Sequence, residues 1–367
     1  MKSFENDAHG GPKHAVPPHL ASLGRRDFIK GGVGMAMTQA LGAEVKAAGV
    51  TRKIALEEHF TTPELDKKYV ARPTRSDTLF ADIERRLADF DQLRLETMDK
   101  AGIDLAVLSI TVPGVQAEAD AKTAIRLARD ANDLLAREVQ KRLQRYAGFA
   151  HLPMQDAGAA AAELERAIKE LRFKGALING QTNGNYLDAD MYLPFWERVQ
   201  DLDVPIYLHP GELADRPAMF AGRPELNGAV WAWTADTGSH ALRLVFGGTF
   251  TRFPKLKIIL GHMGETLPFL LWRFDSRWQG VLGEELPPDE LPSTIIKEHF
   301  AVTTSGVCDP GPLAEAIGAL GEDNVMFSVD YPYEDSQVAA DFIDSAPVSE
   351  AVRAKICHGN ARRILKL

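Results

Sequence analysis

The chain has 367 residues, of which 45% are hydrophobic and 25% charged, with a formal net charge of -9. That composition supports a large core and excludes a mostly disordered chain. An acidic balance without a Lys/Arg-rich run makes nucleic acid and anionic membranes poor partners, and no apolar run reaches the ~18 residues of a stable membrane span. Two cysteines occur, Cys308 and Cys357; they could pair in an oxidising compartment, although two scattered cysteines in a large core are more often free and buried.

Residues 1–50 read as an address and are set apart from the fold. Gly24-Arg25-Arg26-Asp27-Phe28-Ile29-Lys30 precedes a weakly apolar stretch, 31–41, rich in Gly, Ala and Met, and small residues follow at Ala43, Ala47 and Ala48. Paired arginines, a mild hydrophobic segment and an Ala-rich exit resemble a twin-arginine export signal. The plainer reading is an N-terminal extension with a chance Arg pair. The expected location is periplasmic or otherwise exported, or cytoplasmic if the polar lead at 1–23 is bypassed by a later start.

From Thr51 onward short β-rich runs alternate with longer helical patterns. Strands are expected at 53–56, 105–110, 146–149, 175–178, 205–208, 257–260, 300–303 and 324–328. Between them, apolar residues at i, i+3 and i+4 predict helices over 83–101, 121–143, 159–171 and 193–202. Eight strands separated by helical crossovers predict an α/β chain closed into a parallel (β/α)8 TIM barrel. With no internal repeat, linker or composition break, residues 51–367 read as one domain.

Catalytic groups of such a barrel stand at the C-terminal ends of its strands. The first strand runs Ile54-Ala55-Leu56 into Glu57-Glu58-His59. Residues two apart share a face, so Glu57 and His59 point together into the barrel mouth while Glu58 points outward. The fifth strand ends in Leu208-His209-Pro210, the sixth in Gly261-His262-Met263-Gly264-Glu265, and the eighth in Val329-Asp330-Tyr331-Pro332. Singly, each has an ordinary explanation: a capping histidine, an Asp in turn chemistry before a proline, a solvated Glu at a strand end. Together, on strands one, five, six and eight, they point to a metal site. Two carboxylates with two imidazoles suit a divalent ion of the Zn, Mn or Mg group, with positions open for substrate.

Ala55-Leu56-Glu57-Glu58-His59-Phe60, Leu208-His209-Pro210, Gly261-His262-Met263-Gly264-Glu265 and Ser328-Val329-Asp330-Tyr331-Pro332 together resemble the amidohydrolase superfamily. Within it they are similar to the non-oxidative aromatic acid decarboxylases, a group that includes the γ-resorcylate and 2,3-dihydroxybenzoate decarboxylases. The resemblance runs from Lys53 to Leu367. It implies a TIM barrel with Glu57, His59, His209 and Asp330 as metal ligands, His262 beside the metal and Glu265 orienting it. It also implies that Arg273 lies near the substrate and Asn179 in the pocket. Binuclear relatives carry a bridging Lys at the end of strand four. Here that end reads Ile178-Asn179 and Lys174 lies at the opposite end, so one ion per subunit is expected, with Zn favoured over Mn or Mg. Relatives commonly form dimers or tetramers.

The implied activity is that of a carboxy-lyase in aromatic compound metabolism, acting on a hydroxylated aromatic acid. Loss of CO₂ without an oxidant requires protonation of the ring carbon bearing the carboxylate, aided by an ortho hydroxyl. Asp330 is the expected proton donor, with His262 and Glu265 as a supporting pair. The same ligands could instead activate water for a lactone or ester hydrolase, with Asp330 as base, or serve a non-catalytic ligand-binding barrel. Two departures fall where substrate is selected: Pro210-Gly211-Glu212-Leu213 lacks the Arg that relatives often place after the proline, and the segment 181–188 is short. An export signal is also out of pattern for a group whose members are usually cytoplasmic. His151 is expected to pack or support the site. His240, His299 and His358 read as structural, and Trp231-Ala232-Trp233 as packing for a loop or a subunit contact.

Overall fold

The structure, a computed structural model, describes residues 52–69, 77–215 and 217–367. The leader expected at 1–50 lies outside them. Strands β1 (Lys53–Phe60), β2 (Ile103–Ile110), β3 (Tyr146–Gly148), β4 (Ala176–Asn179), β5 (Ile206–His209), β6 (Ile258–Leu260), β7 (Phe300–Thr303) and β8 (Val325–Met326) alternate with helices. They pair in parallel and in chain order, as a β1-β2-β3 sheet and a β4-β5-β6-β7-β8 sheet. Parallel bridges Ala150↔Ala176 and Glu58↔Tyr331 join the two sheets along both seams. The first seam carries Leu177 N–H to Ala150 O at 3.1 Å, and the second His59 N–H to Tyr331 O at 2.7 Å. The chain is therefore a TIM barrel with its strands in sequential order.

Such strands are apolar on both faces because one packs inside the barrel and the other beneath the helices. Leu56, Val107, Phe149, Leu177, Tyr207, Ile259, Ala301 and Met326 form the inner cluster, and Ala361 and Leu365 of the last helix belong to it too. Ala55, Ala106, Leu108, Ile178, Leu208, Leu260 and Val302 belong to the larger cluster shared with the helices.

The strand pairing departs from regular alternation at one decisive place. Along β1, Ala55 pairs with Ala106 but Glu58 with Leu108, three steps against two. The extra residue is a β-bulge, which bends a strand and re-aims its side chains. Leu56 and Glu57 consequently both face inward, Glu58 faces the helices and His59 faces inward again. The two amides left over at the bulge, Leu56 N–H and Glu57 N–H, both donate to Ser328 Oγ, at 3.1 and 2.6 Å.

Several boundaries differ from expectation. β1 runs on to Phe60, and β8 is only two residues long because Ser328 N–H turns to Thr304 Oγ1 at 3.0 Å instead of continuing the ladder. The single helix expected over 83–101 is two, Asp77–Ala88 and Gln92–Ala101. Asp89 breaks it: its carboxylate accepts from Arg94 N–H at 3.0 Å, offering the backbone a local alternative to the helix. Cys357 is buried and Cys308 exposed, and both are free, which corrects the expectation that both are buried. Among the described residues no helix is long and apolar enough to cross a membrane.

Candidate metal centre

Three strand ends, those of β1, β5 and β8, bring Glu57, His59, His209 and Asp330 together, with one ligand atom from each lying within 4.8 Å of the others. His209 Nε2 is 3.1 Å from Glu57 Oε1, and His59 Nε2 is 3.1 Å from Asp330 Oδ1. Outside the cluster each imidazole is held by its other nitrogen: His209 Nδ1 donates to Pro210 O at 2.8 Å, and His59 Nδ1 is hydrogen-bonded to Ser109 Oγ at 3.3 Å. That arrangement leaves Nε2 of each ring as the lone-pair face, the usual way a supporting contact orients a metal-ligating histidine.

The fit to a cation rests on what these atoms lack. Glu57 Oε1, His59 Nε2 and Asp330 Oδ1 are buried with no hydrogen-bond partner. Buried polar atoms are rarely left this way, and here the orphaned atoms face one another. A divalent ion satisfies all of them, and two carboxylates with two imidazoles are a suitable donor set. β4 ends in Asn179, while Lys174 sits at the far rim with Nζ donating to Lys366 O at 3.2 Å. No lysine therefore stands at the end of β4, and the four converging ligand atoms suit one ion.

His262 stands beside the four, its Nε2 3.7 Å from Glu57 Oε1 and 3.6 Å from Asp330 Oδ2. Its Nδ1 donates to Glu265 Oε1 at 2.8 Å. Both come from a left-handed turn after β6 in which His262 (φ 49°), Met263 (55°), Glu265 (52°) and Thr266 (66°) all have positive φ. Each such non-glycine residue costs on the order of 1–3 kcal/mol, and strain of this kind persists where surrounding contacts hold it. The contacts here are Gly264 N–H to Gly261 O at 2.7 Å and His262 N–H to Ser305 Oγ at 3.1 Å. Asp330 is also left-handed, at φ 82°.

The charges of the site act on one another. Burial alone would raise the Glu57 carboxyl, but His262, His209 and His59 pull it well below the usual carboxylate range. Burial alone would depress His262, yet Glu57, Glu265 and Asp330 raise it well above the usual histidine range. His59 goes the other way, because burial outweighs its Asp330 contact. Glu58, on the opposite face of β1, accepts from Val329 N–H at 3.1 Å, and burial pushes it up to about 8.

The remaining candidates are placed differently. Asn179 pairs in register with His209; its Nδ2 reaches Thr111 O at 3.5 Å and its Oδ1 is buried without a partner. Arg273 lies exposed on the helix Leu271–Leu282 and makes no hydrogen bond or ion pair among the described residues, so the structure does not tie it to the cluster. His151 Nε2 accepts from Val115 N–H at 2.7 Å, supporting the 114–117 turn. His240 Nε2 accepts from Leu187 N–H at 2.8 Å, and His299 Nδ1 donates to Leu256 O at 2.9 Å. His358 lies in the π-helical segment Lys355–Gly359 of the C-terminal helical run, and Trp231 is exposed just before the helix Ala232–Phe246. A cleft of about 650 Å³ at the opposite rim holds Arg52, Asp99, Asp104 and Arg145, whose charges pair with one another and leave no comparable chemistry.

Sequence reasoning missed the hydroxyls around Glu57. Glu57 Oε2 accepts from both Tyr207 OH and Ser305 Oγ. Tyr207 precedes His209 by two on β5, and Thr303-Thr304-Ser305 ends β7 with three polar residues at a buried strand end. Those two patterns were the available signals.

Comparison with known proteins bears on this geometry. The family model described as amidohydrolase matches residues 46–367. The γ-resorcylate decarboxylase of Polaromonas sp. strain JS666 is 44% identical over 323 residues, covering 86% of this chain and 98% of that protein. The crystal structure of 2,6-dihydroxybenzoate decarboxylase complexed with 2,6-dihydroxybenzoate superposes with a TM-score of 0.80 at 42% identity, covering 86% of this chain and 100% of that one. The dihydroxybenzoic acid decarboxylase of Polaromonas sp. JS666, solved with bound manganese and the inhibitor 2-nitroresorcinol, gives a TM-score of 0.78 at 42% identity, covering 86% and 97%.

Proposed function

The chain belongs to the amidohydrolase family, and from that premise we propose that it is a metal-dependent, non-oxidative decarboxylase of a hydroxylated aromatic acid of the 2,6-dihydroxybenzoate type. The observation that carries the reading is the set of orphaned lone pairs on Glu57, His59 and Asp330, which converge beside the His262–Glu265 pair.

Glu57, His59, His209 and Asp330 would hold the ion. When bound, a divalent cation supplies the charge that keeps an ortho hydroxyl ionised and aligns it with the carboxylate. The protein's own part is proton delivery. Asp330 Oδ1 faces His59, which leaves Oδ2 to carry a proton to the ring carbon bearing the carboxylate. His262 Nε2, 3.6 Å from Oδ2, is placed to replenish it. Glu265 holds the imidazole by Nδ1 and keeps Nε2 aimed at the reacting side. The ring carbon gains one proton, the C–C bond breaks with its electron pair left on the ring, and CO₂ leaves with no net oxidation or reduction. Asp330→Asn should lower kcat by about 10²–10⁴, the usual contribution of a placed general acid. The test is CO₂ release from a panel of hydroxybenzoates and lactones by metal-loaded protein. Acid release from lactones without CO₂ would overturn the decarboxylase reading.

Three finer statements belong to the same proposal. Residue types alone favour Zn, whereas manganese in a 42%-identical relative makes Mn the ion to load first; metal analysis of protein purified without chelator decides between them. A homo-oligomer, dimer or tetramer, is supported by exposed Phe269 and Trp272, and light scattering showing a monomer would refute it. Export is supported by Arg25-Arg26 ahead of the 31–41 stretch, and would be refuted by a reporter fusion whose export ignores Arg25→Lys/Arg26→Lys.

A further inference from the structure

We propose that Tyr207 and Ser305 are positioning residues that bind one oxygen of Glu57 so completely that the carboxylate can offer a metal ion only the other. The inference rests on the reading of the four-residue cluster as a divalent-cation site, and deepens it.

Tyr207 lies on β5 two residues before His209, so both side chains point into the barrel. Ser305 lies two residues beyond Thr303, at the mouth of β7. Glu57, Tyr207, Thr303 and Ser305 are each 0% exposed. In so dry an interior a hydroxyl must find an acceptor within the protein. Tyr207 OH and Ser305 Oγ choose the same one, Glu57 Oε2. A carboxylate oxygen has about two lone-pair sites, so two donors fill Oε2 and leave it none for a cation.

Oε1 is the complement. It has no hydrogen-bond donor and faces the cluster, 3.1 Å from His209 Nε2 and 3.7 Å from His262 Nε2. Gly261 leaves the room the carboxylate occupies: a Cβ there would lie 2.6 Å from Oε2 and 3.1 Å from Ser305 Oγ, so no side chain fits beside this pair. Behind the pair, Thr303 Oγ1 contacts Tyr207 OH at 2.7 Å and Ser305 Oγ at 2.9 Å. Thr303 touches Glu57 only through them, so it supports both hydroxyls without acting on the ligand itself. Ser305 also reaches the neighbouring strand end, where its Oγ accepts His262 N–H at 3.1 Å and ties the ligand to the start of the left-handed turn.

The expected result follows from the general behaviour of residues that hold a metal ligand, whose loss weakens metal affinity about 10–100-fold. The full-length protein, stripped by chelator, is titrated with Mn²⁺ by calorimetry and by electron paramagnetic resonance, with thermal melting of each metal-free form alongside. The variants are Tyr207→Phe, which keeps the ring beside Phe149 at 5.9 Å, Ser305→Ala and Thr303→Val. Wild type should bind one Mn²⁺ per chain. Tyr207→Phe and Ser305→Ala should each raise Kd about 10–100-fold and alter the Mn²⁺ resonance as Oε2 becomes available, with the metal-free protein still melting in one cooperative transition, at a temperature lowered by the lost hydrogen bonds. Thr303→Val should raise Kd less than either. Wild-type Kd and resonance in both hydroxyl variants would overturn the inference and leave the metal site standing. Loss of the metal-free melting transition in both would assign the hydroxyls to fold stability and overturn it too. Failure of wild type to bind Mn²⁺ would instead remove the cation reading on which it rests.

Discussion

Two oxygens of one carboxylate divide the labour at Asp330. Oδ1 faces His59 Nε2 at 3.1 Å and Oδ2 faces His262 Nε2 at 3.6 Å. Because His262 lies beside the four converging ligand atoms and is not one of them, its removal separates proton supply from metal binding. His262→Asn should lower kcat by about 10²–10⁴ while Mn²⁺ content stays at that of wild type; a variant that loses both together would place His262 among the ligands instead. Glu57, His59, His209 and Asp330 were legible in the sequence because a charged or imidazole side chain at the end of an apolar strand is conspicuous. Tyr207, Thr303 and Ser328 were not, because Tyr and Thr are ordinary strand residues and a serine hydroxyl announces no partner. Arg94 was also hidden. It looks like any solvated arginine of an amphipathic helix, yet it is buried, donates to His59 O at 2.5 Å and lies over the Tyr331 ring at 4.5 Å.

At the scale of the element, β1 decides the site through its bulge. Strict alternation would carry Ile54 and Leu56 on to Glu58 as the inward set; the extra residue substitutes Glu57 and His59. The sequence showed that Glu57 and His59 share a face, since they are two apart. It could not show that the face changes at Leu56, because neither Gly nor Pro marks the spot. Ser328 holds the bulge by accepting both spare amides, and it also donates to Glu58 Oε1 at 3.3 Å, linking β1 to the segment that carries Asp330. Ser328→Ala leaves two buried N–H groups without an acceptor and should cost about 1–3 kcal/mol of stability per group left unsatisfied. It should also weaken Mn²⁺ binding, as Glu57 loses its aim. Urea unfolding of the metal-free variant with a parallel Mn²⁺ titration measures both, and unchanged values in each would show that the bulge is held by packing alone. The helix break at Asp89 escaped prediction for a related reason: the apolar spacing continues across it, and only the side-chain contact with Arg94 N–H reveals the interruption.

Over the whole molecule, the barrel was legible because parallel strands buried on both faces appear as compact apolar runs at regular intervals. The same burial gives the protein a liability at low pH. His151 and His240, fully buried and each accepting a backbone N–H through Nε2, are pushed down to about 3 by burial, from 6.5. The unfolded chain therefore binds protons at these rings below pH 6.5 that the folded chain refuses until about pH 3. Stability rises with pH wherever the unfolded state holds more protons, so the contribution of these rings is intact above pH 6.5 and is lost as pH falls from there toward 3. Each ring contributes a slope of roughly 1.4 kcal/mol per pH unit inside that window. Other groups titrate there too, and a difference measurement isolates the effect. His240→Gln keeps an acceptor for Leu187 N–H but has nothing to protonate. Its urea-unfolding free energy, followed downward from pH 6.5 in metal-free protein, should fall less steeply than wild type by roughly that slope. Parallel acid limbs for the two proteins would mean that His240 takes up its proton inside the folded barrel, and the acid sensitivity would then have to come from elsewhere.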